Sequence, residues 1–361
     1  MPGPLRPVSR PAPQPVIARG ATFGKGWRDV KGCASQESAC MAGRVKMRQN
    51  DQHVTIVMAT RNGEAHLPEQ LASIAAQSHP SWSLFVSDDG STDRTREILD
   101  AFGKRHPVSL VEGPGRGAAA NFLSALCHPD LAPGITALAD QDDVWLKGKL
   151  ARGLRRMAAA ERKMGGAQPH APLPVIYAGE SMLADGALNT LSQSKSGRTR
   201  PGFAPSLAQN LFAGHSIMLN APALDLVRRS GVPERVSWHD WWLYQLIAGC
   251  GGALALDPTP VVIYRQHGGN ALGGARGTAA GKRRLAMLLS GEWGRMMQDH
   301  ALALKAREAL LTRDARKTLD GFLDAPEFGP ARILALRRLG IRRSSRIGDA
   351  ALAAAAAFGR I

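Results

Sequence analysis

From residue 53 the chain alternates short apolar runs with amphipathic stretches. HVTIVMAT (53–60) is a continuous apolar run of strand length, and it ends in the polar loop RNGEAH. LPEQLASIAAQ (67–77) spaces its apolar residues as a helix does. WSLFVSDDG (82–90) is a second apolar run, closed by acids. Asp93 stands where it can cap a helix over RTREILDAFGKR (94–105). SLVEG (109–113) is a weaker strand, AAANFLSALCH (118–128) a helix, and ITALADQDD (135–143) a fourth strand that again ends in carboxylates. WLKGKLARGLRRMAAAERKM (145–164) reads as a long basic helix. Strand–helix alternation of this kind predicts a parallel, doubly wound α/β sheet, whose ligands bind beyond the carboxyl ends of the strands. Both acidic clusters fall at such ends.

The second half is less regular. Residues 165–174 form a Pro/Gly-rich loop, VIYAGESMLAD (175–185) a strand and turn, and RTRPGFAPS (198–206) a loop expected to be mobile. Helices are predicted at APALDLVRRS (221–230) and HDWWLYQLIAGC (239–250), and a strand at ALALDPTPVVIYRQHGG (253–269). Basic amphipathic helices follow over 281–361. Residues 1–46, rich in Pro, Gly and Arg without any period, read as disordered. Met41 and Met47 just before the first strand are each candidate starts. The expected division is a basic tail over 1–50, a catalytic domain over 51–275 and a helical extension over 276–361.

Charge sharpens this division. The chain of 361 residues carries a net charge of +16, yet residues 51–275 hold twenty basic and twenty acidic side chains. The excess sits at the ends: nine basic against two acidic residues over 1–50, and seventeen against eight over 276–361. A neutral core argues against a nucleic-acid-binding function. A basic end attracts anionic membrane surfaces without specific contacts. The four cysteines, Cys33, Cys40, Cys127 and Cys250, form no CxxC pair and no zinc spacing. No run of about 18 apolar residues suits a membrane span, and the start lacks the apolar region of a secretory signal. The expected location is cytoplasmic, with peripheral attachment at the inner face of the cytoplasmic membrane.

Four motifs carry candidate chemistry. In FVSDDGSTD (85–93) two carboxylates at a strand end can accept bonds from a ring N–H or ribose hydroxyls; a polar Asp-Gly turn is the competing reading. In LADQDDVW (138–145) three carboxylates lie within four positions. Such charges repel unless a cation neutralises them, and hard oxygen ligands suit Mn²⁺ or Mg²⁺. In SWHDWWLYQL (237–246) Asp240 lies among three tryptophans, where an apolar wall raises a carboxylate's proton affinity toward that of a general base; a helix-capping acid is the alternative. In IYRQHGGN (263–270) His267 precedes a Gly-Gly turn.

In this order the motifs resemble glycosyltransferase family 2, with its GT-A fold. VTIVMATRNGEAHLPEQLASIAAQS resembles that family's first strand and helix, FVSDDGSTDRT its nucleotide-binding segment, and DQDD its DXD metal motif. HDWWL stands where the family commonly has Glu-Asp, so His239 replaces the Glu and Asp240 matches the base. YRQHGGN resembles the subset in which a late His completes the metal shell. The resemblance covers about residues 53–275, and ADQDDVW, GHSIMLN, HDWWL and YRQH together look most like a bacterial rhamnosyltransferase-like branch. It implies a GT-A type, mostly parallel sheet flanked by helices. It implies an inverting transfer of a sugar, L-rhamnose from dTDP-rhamnose, to a hydroxyl of a surface polysaccharide or lipid-linked acceptor. Thr60, Asn62, Asp88, Asp89 and Asp140 would hold the nucleotide. Gly214, His215, Trp238 and His239 would border the donor sugar and acceptor, and Asp142, Asp143 and His267 the metal. Asp240 would be the base. The QxxRW motif of processive synthases is absent, which points to one sugar per encounter.

Three other classes compete. A glycoside hydrolase also uses paired carboxylates but needs no nucleotide pocket. A metal-dependent phosphohydrolase could use DQDD, releasing phosphate without an acceptor. A polyanion-binding protein accounts for the basic ends and leaves the four motifs idle. The donor, acceptor, linkage and oligomeric state are not legible in the sequence.

Overall fold

The structure, a computed structural model, describes residues 52–165, 173–194, 200–266 and 286–361. The expected tail over 1–50 and the boundary at 275/276 lie outside them, as does His267.

The first four strands form a parallel block. β1 (Val54–Thr60) lies between β2 (Trp82–Asp88) and β4 (Ile135–Ala139), and β3 (Val108–Glu112) flanks β2. Alternation along β1 sends Ile56 and Met58 to one face and Val57 to the other, where they join two separate apolar clusters. Helices α1 (Leu67–Ala75), α2 (Thr95–Gly103) and α4 (Lys149–Gly165) cover the first face; α3 (Ala118–Leu126) covers the second. This is the doubly wound arrangement that the strand–helix alternation predicts.

Beyond β4 the sheet becomes mixed. The two-residue β8 (Met218–Leu219) is inserted antiparallel between β4 and β6 (Val175–Ala184). β6 then runs parallel to the long β9 (Ala253–Arg265), whose register shifts around Asp257–Pro260, where two prolines interrupt the ladder. β5 (Val144–Trp145) pairs antiparallel with β9, and β7 (Thr190–Gln193) with β6. The long ladders are all parallel and the antiparallel ones are short.

Local chemistry sets the helix ends. α6 (Ala221–Ser230) starts with Asn220, whose side chain accepts from Ala223 N, has Pro222 in its first turn, and stops at Gly231 with φ 64°. Asp93 stands one residue outside the cap of α2 and still accepts from Thr95 N at 3.0 Å. The loop expected at RTRPGFAPS is in part ordered: Phe203–Ser206 is a helical turn, α5. Tyr244 Oη exchanges hydrogen bonds with the Gly202 backbone, and Trp241 Nε1 donates to Ser206 O at 2.6 Å, so buried aromatic handles hold a segment that composition alone marks as loop.

α7 (His239–Gly249) packs against β6, β9 and α3 with almost every side chain buried. The C-terminal helices α8 (Glu292–Lys305), α9 (Arg313–Leu323), α10 (Gly329–Arg338) and α11 (Arg346–Ala357) share its core through Met297, Leu304, Leu319, Phe322, Leu336 and Leu352. Trp241 stacks on Trp293 at 5.1 Å, and His300 Nδ1 lies 2.9 Å from Gln245 Oε1. The extension thus completes the core on that face. Among the described residues no helix is long and apolar enough to cross a membrane.

Candidate active site

The carboxyl ends of β1, β2 and β4 open into a cavity of about 770 Å³. Thr60, Asp89, Asp140, Asp142, Gly214, His215, Trp238, His239 and Asp240 all line it, drawn from segments up to 180 positions apart.

Asp88 stands behind the wall, and Asn62 lies exposed beside it; neither lines the cavity. Asp88 is fully buried and accepts from Thr60 Oγ1, Ser91 N, Ser91 Oγ and Arg96 Nε. Burial pushes its proton affinity up, but these donors outweigh it and hold the carboxyl below its ordinary range. Asn62, at φ 49°, accepts from Thr92 N and ties the loop after β1 to the loop after β2. Asp89 faces the cavity while accepting from Gly115 N and Gly117 N, which draws the Gly-rich loop over its carboxylate. That approach is tight: a Cβ at Gly113 would sit 2.7 Å from Asp89 Oδ1.

The second acidic cluster is arranged differently. Ligand atoms of Asp140, Asp143 and His215 lie within 4.8 Å of one another. Asp143 Oδ2 is buried with no hydrogen-bond partner among the described residues. Burial, then the Asp142 and Asp240 charges, pushes the Asp140 carboxyl up to about 7. Burial, then the charges of Asp140 and Asp142, pushes Asp143 well above the usual carboxylate range. His215 Nε2 lies 2.6 Å from Ser181 Oγ, and its Nδ1 faces Asp143 Oδ2 at 4.0 Å. Burial, with the Lys149 charge, lowers its pKa to about 3, so the imidazole is neutral, as a metal ligand must be. An orphaned carboxylate oxygen, crowded acids and a neutral imidazole fit a divalent cation. Asp142 lines the same cavity.

Asp240 occupies the first turn of α7. It accepts from Gly214 N at 3.1 Å and Trp241 N at 2.7 Å, and the Asn210 side chain adds a further bond. Burial outweighs these bonds and raises its pKa to about 6, a value suited to a general base. Gly214 brings its backbone against α7: a Cβ there would meet His239 Nε2 at 2.7 Å. His239 stacks on Phe122 at 4.1 Å, and its buried Nε2 has no partner among the described residues.

His215, expected to border the donor sugar, lines the cavity and also lies beside Asp143. Further residues, not singled out in the sequence, belong to the site. Lys149 is buried, donates to His215 O at 2.6 Å and Leu138 O at 3.3 Å, and lies over the Trp145 ring. Arg265 donates to Asp142 O and fixes the acidic loop from β9. Arg116 lines the cavity beside the start of α3; its signal was the PGRG turn before a helix. Gln141 was readable only as a neighbour of the acids, yet it bridges Arg61 N and O.

Comparison with known proteins agrees with this geometry. Residues 55–171 match the family model described as Glycosyl transferase family 2. The chain is 27% identical over 248 residues to the dTDP-rhamnosyl transferase RfbG of Shigella flexneri, covering 66% of this chain and 81% of that protein. It is 32% identical over 102 residues to the UDP-Glc:alpha-D-GlcNAc-diphosphoundecaprenol beta-1,3-glucosyltransferase WfgD of Escherichia coli, covering 28% of this chain and 39% of that one. The structure of S. aureus TarS 1–349 aligns with a TM-score of 0.46 at 16% identity, over 80% of this chain and 89% of that chain. Residues 55–171 thus resemble glycosyl transferase family 2, and the parallel strand order with its acidic strand ends accords with that match.

Proposed function

We propose that the protein is an inverting, divalent-metal-dependent glycosyltransferase that moves L-rhamnose from dTDP-rhamnose to a hydroxyl of a saccharide or lipid-linked acceptor of the cell envelope. The observation that carries the reading is a single cavity in which a metal-ready acid cluster faces a carboxylate raised toward neutrality. The rhamnose donor rests on the likeness to RfbG.

In this reading Thr60 and Asp89 border the base and ribose, while Arg116 and the amino end of α3 supply positive potential to the diphosphate. Asp140, Asp143 and His215, with Asp142 beside them, would hold Mn²⁺ or Mg²⁺, and His267 is proposed to add to that set. The bound ion would supply Lewis-acid neutralisation of the departing diphosphate. Asp240 takes the acceptor proton as the hydroxyl attacks the face opposite the leaving group, which inverts the anomer. Gly214 N and Trp241 N hold that carboxylate in place, and Trp238 and His239 shape the wall beside it. The arginines of the C-terminal helices favour peripheral attachment to an anionic membrane surface.

A screen of nucleotide sugars with Mn²⁺, with and without lipid-linked acceptors, tests this. The expected outcome is acceptor-dependent release of intact dTDP from dTDP-rhamnose. Release of inorganic phosphate instead would identify a phosphohydrolase. Turnover of another nucleotide sugar in its place would replace the donor and keep the chemistry.

A further inference from the structure

A second cavity, of about 740 Å³, meets the first at Ala213, His215, Asp240 and Tyr264, which line both. We infer that this second cavity, closed by the C-terminal helices, is the acceptor chamber, and that it takes a sugar carried on an apolar aglycone. The inference rests on the glycosyl-transfer reading of the first cavity.

Position comes first. The donor side of Asp240 is the side of Asp140, Asp142 and Arg116. An attacking hydroxyl must reach the same carboxylate without crossing the metal cluster. The second cavity offers that approach, since Asp240 is part of its wall while Asp140, Asp142, Asp143 and Arg116 are not, and His215 touches it only at the junction.

Lining comes second. Polar groups gather at the junction: Asn210 bonds Asp240, and Ser181 bonds His215. These can pair the hydroxyls of one sugar. The C-terminal wall is mostly apolar, made by Met287, Leu288, Trp293, Ile347, Ala351 and Leu352, with Arg343, Ser344 and Ser345 as its polar edge. Sugar hydroxyls pressed against such a wall would lose hydration without gaining partners, whereas an alkyl or isoprenoid chain would cover it favourably.

Continuity with the surface comes third. Ile347 lines the cavity and is 86% exposed, so the apolar wall runs out to solvent there. From that point Ile347, Ala350, Ala354 and Phe358 lie exposed on one face of α11 and its end, at helical spacing. Arg342, Arg343 and Arg346 flank it. An aglycone anchored in a lipid surface would enter the chamber along this face.

The experiment uses the full chain and an n-octyl glycoside with a photoreactive diazirine at the end of its alkyl chain. After irradiation the adducts are mapped by peptide mass. The expected adducts fall in residues 286–293 and 343–352, and excess decyl glycoside suppresses them while methyl glycoside does not. Leu288→Trp and Ala351→Trp fill the chamber from two walls; each, checked for a normal melting transition, should cut these adducts at least tenfold. Adducts confined to the exposed side chains of Phe328 and Phe358 outside the cavity, no adducts, or unchanged labelling in both variants would overturn the assignment. The readout needs no turnover, so failure of the nucleotide-sugar screen would sink the transfer reading and leave this result standing on its own.

Discussion

Asp88 and Asp89 close β2, and Asp140, Asp142 and Asp143 follow β4, so the two acidic groups flank β1 in one parallel block. Composition and position are nearly the same. Their surroundings are opposite. Asp88 accepts from a threonine, a serine, a backbone amide and an arginine, and Asp89 from two glycine amides. Among the described residues Asp143 leaves an oxygen unpartnered in the interior, and burial with neighbouring carboxylates pushes Asp140 and Asp143 up rather than down. The first group is a brace that shapes one wall of the cavity. In the second, burial and mutual repulsion push the carboxyls up, a cost that a divalent cation would relieve. Asp240 belongs with the second, since its charge helps to raise Asp140.

The largest effect should come from Asp240→Asn. The amide keeps the shape but cannot take a proton, so transfer should fall by about 10²–10⁴-fold while nucleotide affinity by calorimetry stays near wild type. Asparagine would serve almost as well as a helix cap, so near-normal transfer would remove Asp240 from the chemistry. In the wild type a base must be ionised, so kcat should rise with pH through an apparent pKa near 6, the value to which burial pushes Asp240. A flat profile from pH 5 to 8 would oppose the assignment.

Asp88→Ala should destabilise the fold by about 2 kcal/mol. It leaves the buried Thr60 hydroxyl and the Ser91 donors without their acceptor, while Arg96, partly exposed, keeps its pair with Glu112. Because the folded pKa of Asp88 is depressed, its contribution is present above the ordinary carboxylate range and is lost as pH falls through the folded value. The acid limb of urea-unfolding free energy should therefore flatten in the variant, and an unchanged limb would show that Asp88 is no brace.

Asp143→Asn should do the reverse. Burial, then the Asp140 and Asp142 charges, raises the folded pKa of Asp143, which costs stability at neutral pH; the amide removes that cost and should raise metal-free stability by about 1 kcal/mol, a melting-point gain of roughly 2–4 °C. Mn²⁺ should raise the melting point of the wild type, and the variant should lose that shift. A lowered melting point without metal would place Asp143 among the braces.

Much of this contrast was legible, and the rest was not for physical reasons. The apolar runs and their acidic ends predicted four strands of a parallel sheet and the sites of both clusters, because apolar runs and strand-end chemistry are local. Which carboxylates are saturated depends on Arg96, Ser91 and the Gly115–Gly117 loop, which only the fold brings together. His215 meets Asp143 through the antiparallel β8 insertion, too short to leave a pattern. Lys149 looked like one more charge on a basic helix, yet it is buried under the acidic cluster. The helical extension was legible as basic and amphipathic; its partner surface, the tryptophan face of α7, was not.

Arg265 shows what such long-range ties entail. Its guanidinium donates to Asp142 O and Gly186 O and pairs with Glu69, and its backbone amide donates to Asp143. One side chain thereby couples α1, the acidic loop and the β6–β7 hairpin. Local opening of any of these would break bonds in the others, so their amides should exchange with deuterium as one cooperative unit. The acidic loop, exposed to solvent from its cavity side, should then exchange at the slow rate of the β9 amides beneath it.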